Sequence, residues 1–188
     1  MSAAAGKVNL PTYRHALVDE WIAGVPGLPE RLAAGGTVAD VAAGGGDAAA
    51  LVATAFPQAR VHAYDIVDGA RDDLPGNAQF RQANASSMPD DGPFDLVYIL
   101  DSFHHLGDPA LVLAGIRRNL APGGTVMIVE AGMSGQVDQD VADPFSRWSS
   151  TAAGSCTACR RASRPVGLTP TPTAVAGSRQ RSPRPDSR

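Results

Sequence analysis

The sequence predicts an α/β protein in which about five strands form a parallel sheet flanked by helices, followed by a disordered C-terminal tail. Three observations carry that expectation. Short apolar runs of strand character alternate with helix-forming stretches, an order that produces a parallel sheet wrapped by helices. Three consecutive glycines, Gly44, Gly45 and Gly46, join one of these strands directly to a helix. Beyond about Arg147 the apolar pattern stops and Ser, Thr, Pro, Gly and Arg take over. Residues 1–36 read as an N-terminal helical leader, residues 37–146 as the core domain and residues 147–188 as a basic tail that cannot bury enough surface to order itself.

Each element has its own signal. In the leader, Tyr13, Leu17, Val18, Trp21 and Ile22 fall at helical spacing before Pro26 and Pro29 interrupt, so one or two short helices are expected over residues 13–34. Thr37–Val41 has strand character. Residues 48–56 favour a helix, which Pro57 ends. Residues 61–65 read as a second strand and Ala78–Gln82 as a third. The uninterrupted apolar run at residues 96–100 is typical of a strand covered on both faces. Asp108 suits the cap of a following helix and Pro109 its first position, with Leu113, Ile116 and Leu120 on one face. Pro122, Gly123 and Gly124 stop that helix, and residues 125–129 read as a further buried strand.

Charge and cysteine usage narrow the function classes. Residues 1–146 carry eight basic and 18 acidic side chains, and residues 147–188 carry eight basic and one acidic. An acidic folded part is expected to bind neither nucleic acid nor an anionic membrane. No apolar run approaches the ~20 residues of a membrane span, and the first residues lack a signal-peptide apolar region. The two cysteines, Cys156 and Cys159, both lie in the tail, so a reducing, cytoplasmic location without a disulfide framework is expected. Their C-x-x-C spacing lacks the two further ligands zinc needs, and no metal site is expected.

The glycine run is the sharpest local feature. A strand end, a glycine turn and a helix start let backbone N–H groups approach a ligand, and the helix N-terminus favours negative charge. Asp65 closes the next strand, 19 residues after Gly46. A carboxylate there can accept both hydroxyls of a ribose, so the pair describes a site for a nucleoside-containing cofactor. Taken alone, Gly44-x-Gly46-x-x-Ala49 also fits a dinucleotide fingerprint, or a tight turn with no ligand.

Two blocks carry a family resemblance. Asp40, near the end of the first strand and just before Ala42, Ala43 and the glycine run, is similar to motif I of class I methyltransferases. The stretch Phe94-Asp95-Leu96-Val97 through His104-His105-Leu106-Gly107-Asp108-Pro109, followed by Leu120-Ala121-Pro122-Gly123-Gly124, resembles later blocks of the same superfamily. Over roughly residues 13–146 the chain resembles Rossmann-like, S-adenosylmethionine-dependent methyltransferases of the bacterial small-molecule type. The resemblance implies S-adenosyl-L-methionine as cofactor and a small-molecule methyl acceptor. It assigns Gly44 and Gly46 to the methionine part of the cofactor, Asp40 to positioning its amino end, Asp65 to the ribose, Ile66 to the adenine face, and Asn84 with the Ala85 backbone to the adenine edge. Three departures stand out. Ala42 occupies the first motif glycine, Asn84 replaces an acid, and residues 67–77 contain Gly69, Pro75 and Gly76 where the family usually has a full helix.

Methyl transfer from a sulfonium depends above all on proximity and alignment. A hydroxyl acceptor also needs a general base, for which histidine is suited near neutral pH. His104 lies just beyond the fourth strand, at the carboxyl edge where such sheets bind ligands, and aligns with the catalytic histidine of related O-methyltransferases. It is the candidate base; a packing role is its alternative, and His105 is a weaker candidate. Two other functions stay open. One is a truncated or impaired remnant that at most binds cofactor, favoured by the broken segment at residues 67–77 and by the last two of the superfamily's seven strands having no counterpart before the tail. The other is an NAD-dependent oxidoreductase, supported only by Gly44-x-Gly46-x-x-Ala49. The tail has the composition that out-of-frame GC-rich codons would give. A frameshift near residue 147 is therefore expected of the gene, leaving the strand at residues 125–129 with an unpaired edge.

Overall fold

The computed structural model describes residues 3–130. The expected tail, the Cys156–Cys159 pair, the proposed frameshift junction and the last part of the core domain, residues 131–146, lie outside the described residues. Helix α1 (Ala3–Ala16) runs into a π-helical turn at Leu17–Ile22 and is followed by α2 (Leu28–Ala33). Then come β1 (Thr37–Val41), α3 (Asp47–Ala55), β2 (Arg60–Asp65), β3 (Ala78–Gln82), β4 (Phe94–Leu100), α4 (Pro109–Asn119) and β5 (Leu120–Val129). The strands form one sheet in the order β3-β2-β1-β4-β5, and every neighbouring pair is parallel. The chain winds outward from β1 to β3, then crosses back to place β4 on the other side of β1. Open α/β sheets bind ligands at such a reversal, beyond the carboxyl ends of the strands.

Strand β4 shows why the sheet sits at the centre. Its side chains alternate between faces. Leu96, Tyr98 and Leu100 pack with Leu17, Ile22, Leu28, Leu32 and Val52, whereas Val97 and Ile99 pack with Val112 and Ile116. The leader is therefore part of the core. Leu17, Ile22, Leu28 and Leu32 are all fully buried in it, and each such burial contributes roughly 1.5–3 kcal/mol.

Three expectations are corrected. The first helix begins at Ala3, ten residues before the amphipathic signal at Tyr13, and passes through Pro11. Helix α4 buries Val112, Gly115, Ile116 and Asn119, while Leu113 faces out. Gly115 lies on that face, where a Cβ would meet Met88 at an ordinary contact distance of 3.5 Å, and the helix packs over the turn at Ala85–Ser87. Strand β5 is not buried: Val126 and Ile128 are more than a third exposed, because β5 is the sheet edge among the described residues. Asp108 does cap α4, its Oδ1 accepting the Leu111 N–H at 3.1 Å. No helix among the described residues is long and apolar enough to cross a membrane.

Candidate active site

The loop after β1 is built on left-handed backbone. Gly44 has φ 59° and Gly46 φ 84°, and Ala42, standing where the family has glycine, has φ 61°. A Cβ on Gly44 would meet nothing within 4 Å, so it is the dihedral, not crowding, that requires glycine there, and the loop surface above it is open. Asp65, at the end of β2, reaches this loop. Its Oδ2 accepts the Gly44 N–H at 2.7 Å and its Oδ1 accepts the Val67 N–H at 2.9 Å. Each carboxylate oxygen has a further lone pair, so the carboxylate is held in place yet still able to accept hydroxyls. Ile66, the next residue, leaves its side chain 61% exposed beside it.

Asp40 occupies a different position from its sequence neighbours in the motif. It is buried beneath the loop, and its Oδ2 and the Tyr98 hydroxyl are both buried without a hydrogen-bond partner among the described residues. Burial pushes its carboxyl up to about 7, against the pull of the nearby Tyr98 hydroxyl and Ala49 amide. Asn84 caps its own turn, its Oδ1 accepting the Ser86 N–H at 2.9 Å, which leaves the carbonyl one lone pair for another donor. Ala85 begins that turn beyond β3.

The crossover at residues 67–77 forms no helix, as its composition implies. It folds onto the glycine loop instead. The Arg71 N–H donates to the Gly45 carbonyl at 3.0 Å, and the Arg71 guanidinium pairs with Asp47, the first residue of α3, at 3.1 Å and with Asp73 at 2.6 Å. Asn77 anchors the far end by donating to the Ala53, Phe56 and Ala59 carbonyls at 3.0–3.2 Å.

The second half of the site lies beyond β4 and β5. Asp101 follows β4 with φ 47° and donates its N–H to the Val129 carbonyl at 2.7 Å, turning the chain into the short helix Phe103–His105. Glu130, immediately after β5, accepts the Phe103 N–H on Oε1 at 2.7 Å and meets His104 Nδ1 with Oε2. This carboxylate fixes both the turn and the imidazole ring. With Nδ1–H directed at Glu130, Nε2 is the nitrogen left to accept a proton. Asp101 Oδ2 accepts the Asn9 side chain of α1 at 2.6 Å. The His105 ring lies 3.9 Å from that of His104, and burial, reinforced by His104, lowers its pKa.

The structure thus brings Gly44, Gly46, Asp65, Ile66, Asn84, Ala85 and His104 to one edge of the sheet, with Asp40 beneath. Sequence reasoning missed Asp101, Glu130, Asn9 and Arg71. Glu130 had a readable signal, a carboxylate directly after an apolar strand. Asp101, His104 and Glu130 also place metal-ligating atoms within 4.8 Å of one another, where the sequence offered only two adjacent histidines.

The parallel sheet thus carries the glycine loop with Asp65 and the His104–Glu130 pair on one edge. Residues 38–124 match the family described as Methyltransferase domain. The trans-aconitate 2-methyltransferase of Methylobacterium nodulans is 31% identical over 127 residues, covering 65% of this chain and 46% of that protein. The trans-aconitate 2-methyltransferase of Azoarcus sp. strain BH72 is 33% identical over 96 residues, covering 49% of this chain and 38% of that protein. The chain therefore aligns with less than half the length of these curated relatives. A crystal structure from Galdieria sulphuraria, provisionally named a sarcosine dimethylglycine methyltransferase, shares the fold with TM-score 0.53 at 20% identity, over 66% of this chain and 51% of that one. The matched segment runs from β1 into β5, so over residues 38–124 the chain is similar to a methyltransferase domain, and its sheet is Rossmann-like.

Proposed function

We propose that this chain binds S-adenosyl-L-methionine and transfers its methyl group to a small-molecule acceptor, with His104 as general base. The carrying observation is the shared edge: the Gly44–Asp65 loop site and the His104–Glu130 pair lie beyond adjacent strands of one sheet. The residues fit the cofactor. Gly44 presents an open backbone surface, Asp65 is a carboxylate anchored by two amides, and Ile66 offers an exposed apolar side chain. Asp65 would hold the ribose, Ile66 the adenine face, Asn84 and Ala85 the adenine edge, and Gly44 and Gly46 the methionine end. Asp40 would act from below, supporting the loop. When bound, the cofactor supplies an electrophilic methyl carbon on a sulfonium. The protein's part is to align the acceptor and, through His104 Nε2, to remove its proton, while Glu130 stabilises the imidazolium that forms.

The small size of the acceptor is supported by the substrate named for both curated relatives. A cytoplasmic location is supported by the absence of cysteine from residues 1–146. Calorimetry tests the cofactor. Asp65→Ala removes charge-assisted bonds of about 1.5–3 kcal/mol each, so affinity for S-adenosylmethionine falls at least tenfold with the circular dichroism unchanged. Unchanged affinity refutes the site. His104→Ala should lower kcat by ~10²–10⁴ with cofactor affinity retained. The crossover at residues 67–77, which forms no helix, favours a second reading, a cofactor-binding module without turnover, which binding in the absence of any methyl transfer would establish.

A further inference from the structure

We propose that binding of the cofactor's methionine end ionises Asp40, so that one proton leaves the protein as S-adenosylmethionine enters and affinity climbs with pH. The inference rests on the cofactor reading above and names the regulation of that same site. It stands on where Asp40 lies and on what faces it.

Asp40 lies near the carboxyl end of β1, just before the glycine loop, and is only 2% exposed. Tyr98 of β4 is its partner in the parallel register. Asp40 Oδ2 and the Tyr98 hydroxyl are both buried without a hydrogen-bond partner among the described residues. The other elements around Asp40 offer mixed company. Asp65 of β2 faces it with a second negative charge, and α3 turns the Ala49 N–H toward it. The charged group at the start of α3 is Asp47, which Arg71 pairs at 3.1 Å. Tyr13 of α1 feels the Asp40 carboxylate, and burial keeps its own hydroxyl un-ionised. A carboxylate with a buried, unpartnered oxygen and another carboxylate facing it is costly to ionise. The free protein therefore holds this acid neutral until the pH approaches about 7.

The cofactor changes that balance. S-adenosylmethionine carries an ammonium and a sulfonium against one carboxylate, so it enters as a net cation. The left-handed loop that would seat its methionine end starts at Ala42, two residues beyond Asp40. Positive charge brought there favours the ionised form of the buried acid. The Tyr98 hydroxyl opposite is a donor that the carboxylate can then use. Linkage fixes the sign. If the cofactor favours ionised Asp40, then ionising Asp40 favours the cofactor to the same extent. The proton passes from the Asp40 carboxyl to the buffer, and the ammonium keeps its own. Below about pH 7 each cofactor bound displaces close to one proton, and above it the gain levels off. The ammonium alone carries the effect, so S-adenosylhomocysteine, which lacks the sulfonium charge, shows it too.

The test is calorimetry on the full chain, without any turnover. S-adenosylmethionine and S-adenosylhomocysteine are titrated at intervals from about pH 5.5 to 7, and at about pH 6 in two buffers of different ionisation enthalpy, which counts the protons exchanged. The expected result for both ligands is an affinity that rises about tenfold over the range and close to one proton released per ligand bound. Asp40→Asn should lose the rise and the proton release, and should bind about tenfold more weakly than the parent at pH 7. The proton count comes from the parent alone, so it decides the question whether or not the variant folds. Failure of both ligands to bind at any pH overturns the cofactor reading and this proposal with it. Affinity constant within about twofold, proton release with S-adenosylmethionine only, or the same release from a folded Asp40→Asn protein overturns the proposal while leaving the cofactor site standing.

Discussion

Asp40 offers a direct measurement of what the fold invests in its loop. Replacing it with Asn keeps the shape and removes the titration. Burial raises the carboxyl from 3.8 to about 7. In the unfolded chain it ionises at its ordinary value, so between about pH 4 and pH 7 the unfolded state has lost a proton that the folded state still holds. Stability from this group is full below about pH 4 and declines as pH rises through about 7. The shift spans about three pH units, and each is worth 1.36 kcal/mol, so the parent protein loses roughly 4 kcal/mol across that window. That is a large part of a domain stability of about 5–15 kcal/mol. Urea unfolding at intervals from pH 4 to pH 9 reads it out. The expected result is a parent whose stability falls with pH and an Asp40→Asn variant that lacks this slope and overtakes the parent above about pH 7. Parallel profiles for the two proteins would show that Asp40 is ionised in the native state, and the account of a protonated acid beneath the loop would fail.

The remaining predictions concern the same loop. Ala42 is held at φ 61°, a conformation costing a non-glycine residue about 1–2 kcal/mol. Against the ~0.4–1 kcal/mol of added unfolded-state freedom, Ala42→Gly should stabilise the protein by up to about 1 kcal/mol, raising Tm by ~2–4 °C; a lowered Tm contradicts this. Arg71→Ala releases the crossover from Asp47 and Asp73. Its exposed pairs contribute little stability, so Tm should hold within about 2 °C while the Kd for S-adenosylmethionine rises several-fold. An unaltered Kd would show that the crossover does not help to shape the glycine loop.

The legible parts of the fold are those fixed by local rules. Strand β4 is an unbroken apolar run because both its faces are covered, and β1 is buried along its whole length for the same reason. The glycine loop was readable because positive φ is restricted mainly to glycine, and Ala42 shows the limit of that rule, taking φ 61° without one. Helix α1 was hidden by Pro11, since the sequence does not show the contacts that hold the helix together through a proline: the Asn9–Asp101 bond and packing against α3. The exposed β5 was misread for a related reason. Its composition is that of a buried strand, but burial depends on what covers the face, and among the described residues nothing flanks the outer edge.

The site divides along the same line. Gly44 and Asp65 are joined by two adjacent strands, and their roles follow from a motif read in one pass along the chain. His104 was visible as a residue just past a strand end, but its partner is 26 positions away. What unites them is register. Leu100 of β4 pairs with Val129 of β5, so both strands end level and the residues that follow, Asp101 and Glu130, emerge side by side at the same edge. From there the turn at Phe103–His105 needs only one backbone donor, the Phe103 N–H, to dock on Glu130 and bring the imidazole against the second oxygen. A single-residue slip between β4 and β5 would turn Glu130 to the other face of the sheet and leave His104 without its orienting carboxylate. The half of the site around His104 is therefore set by strand pairing, while the half around Gly44 is set by the backbone conformation of a few consecutive residues.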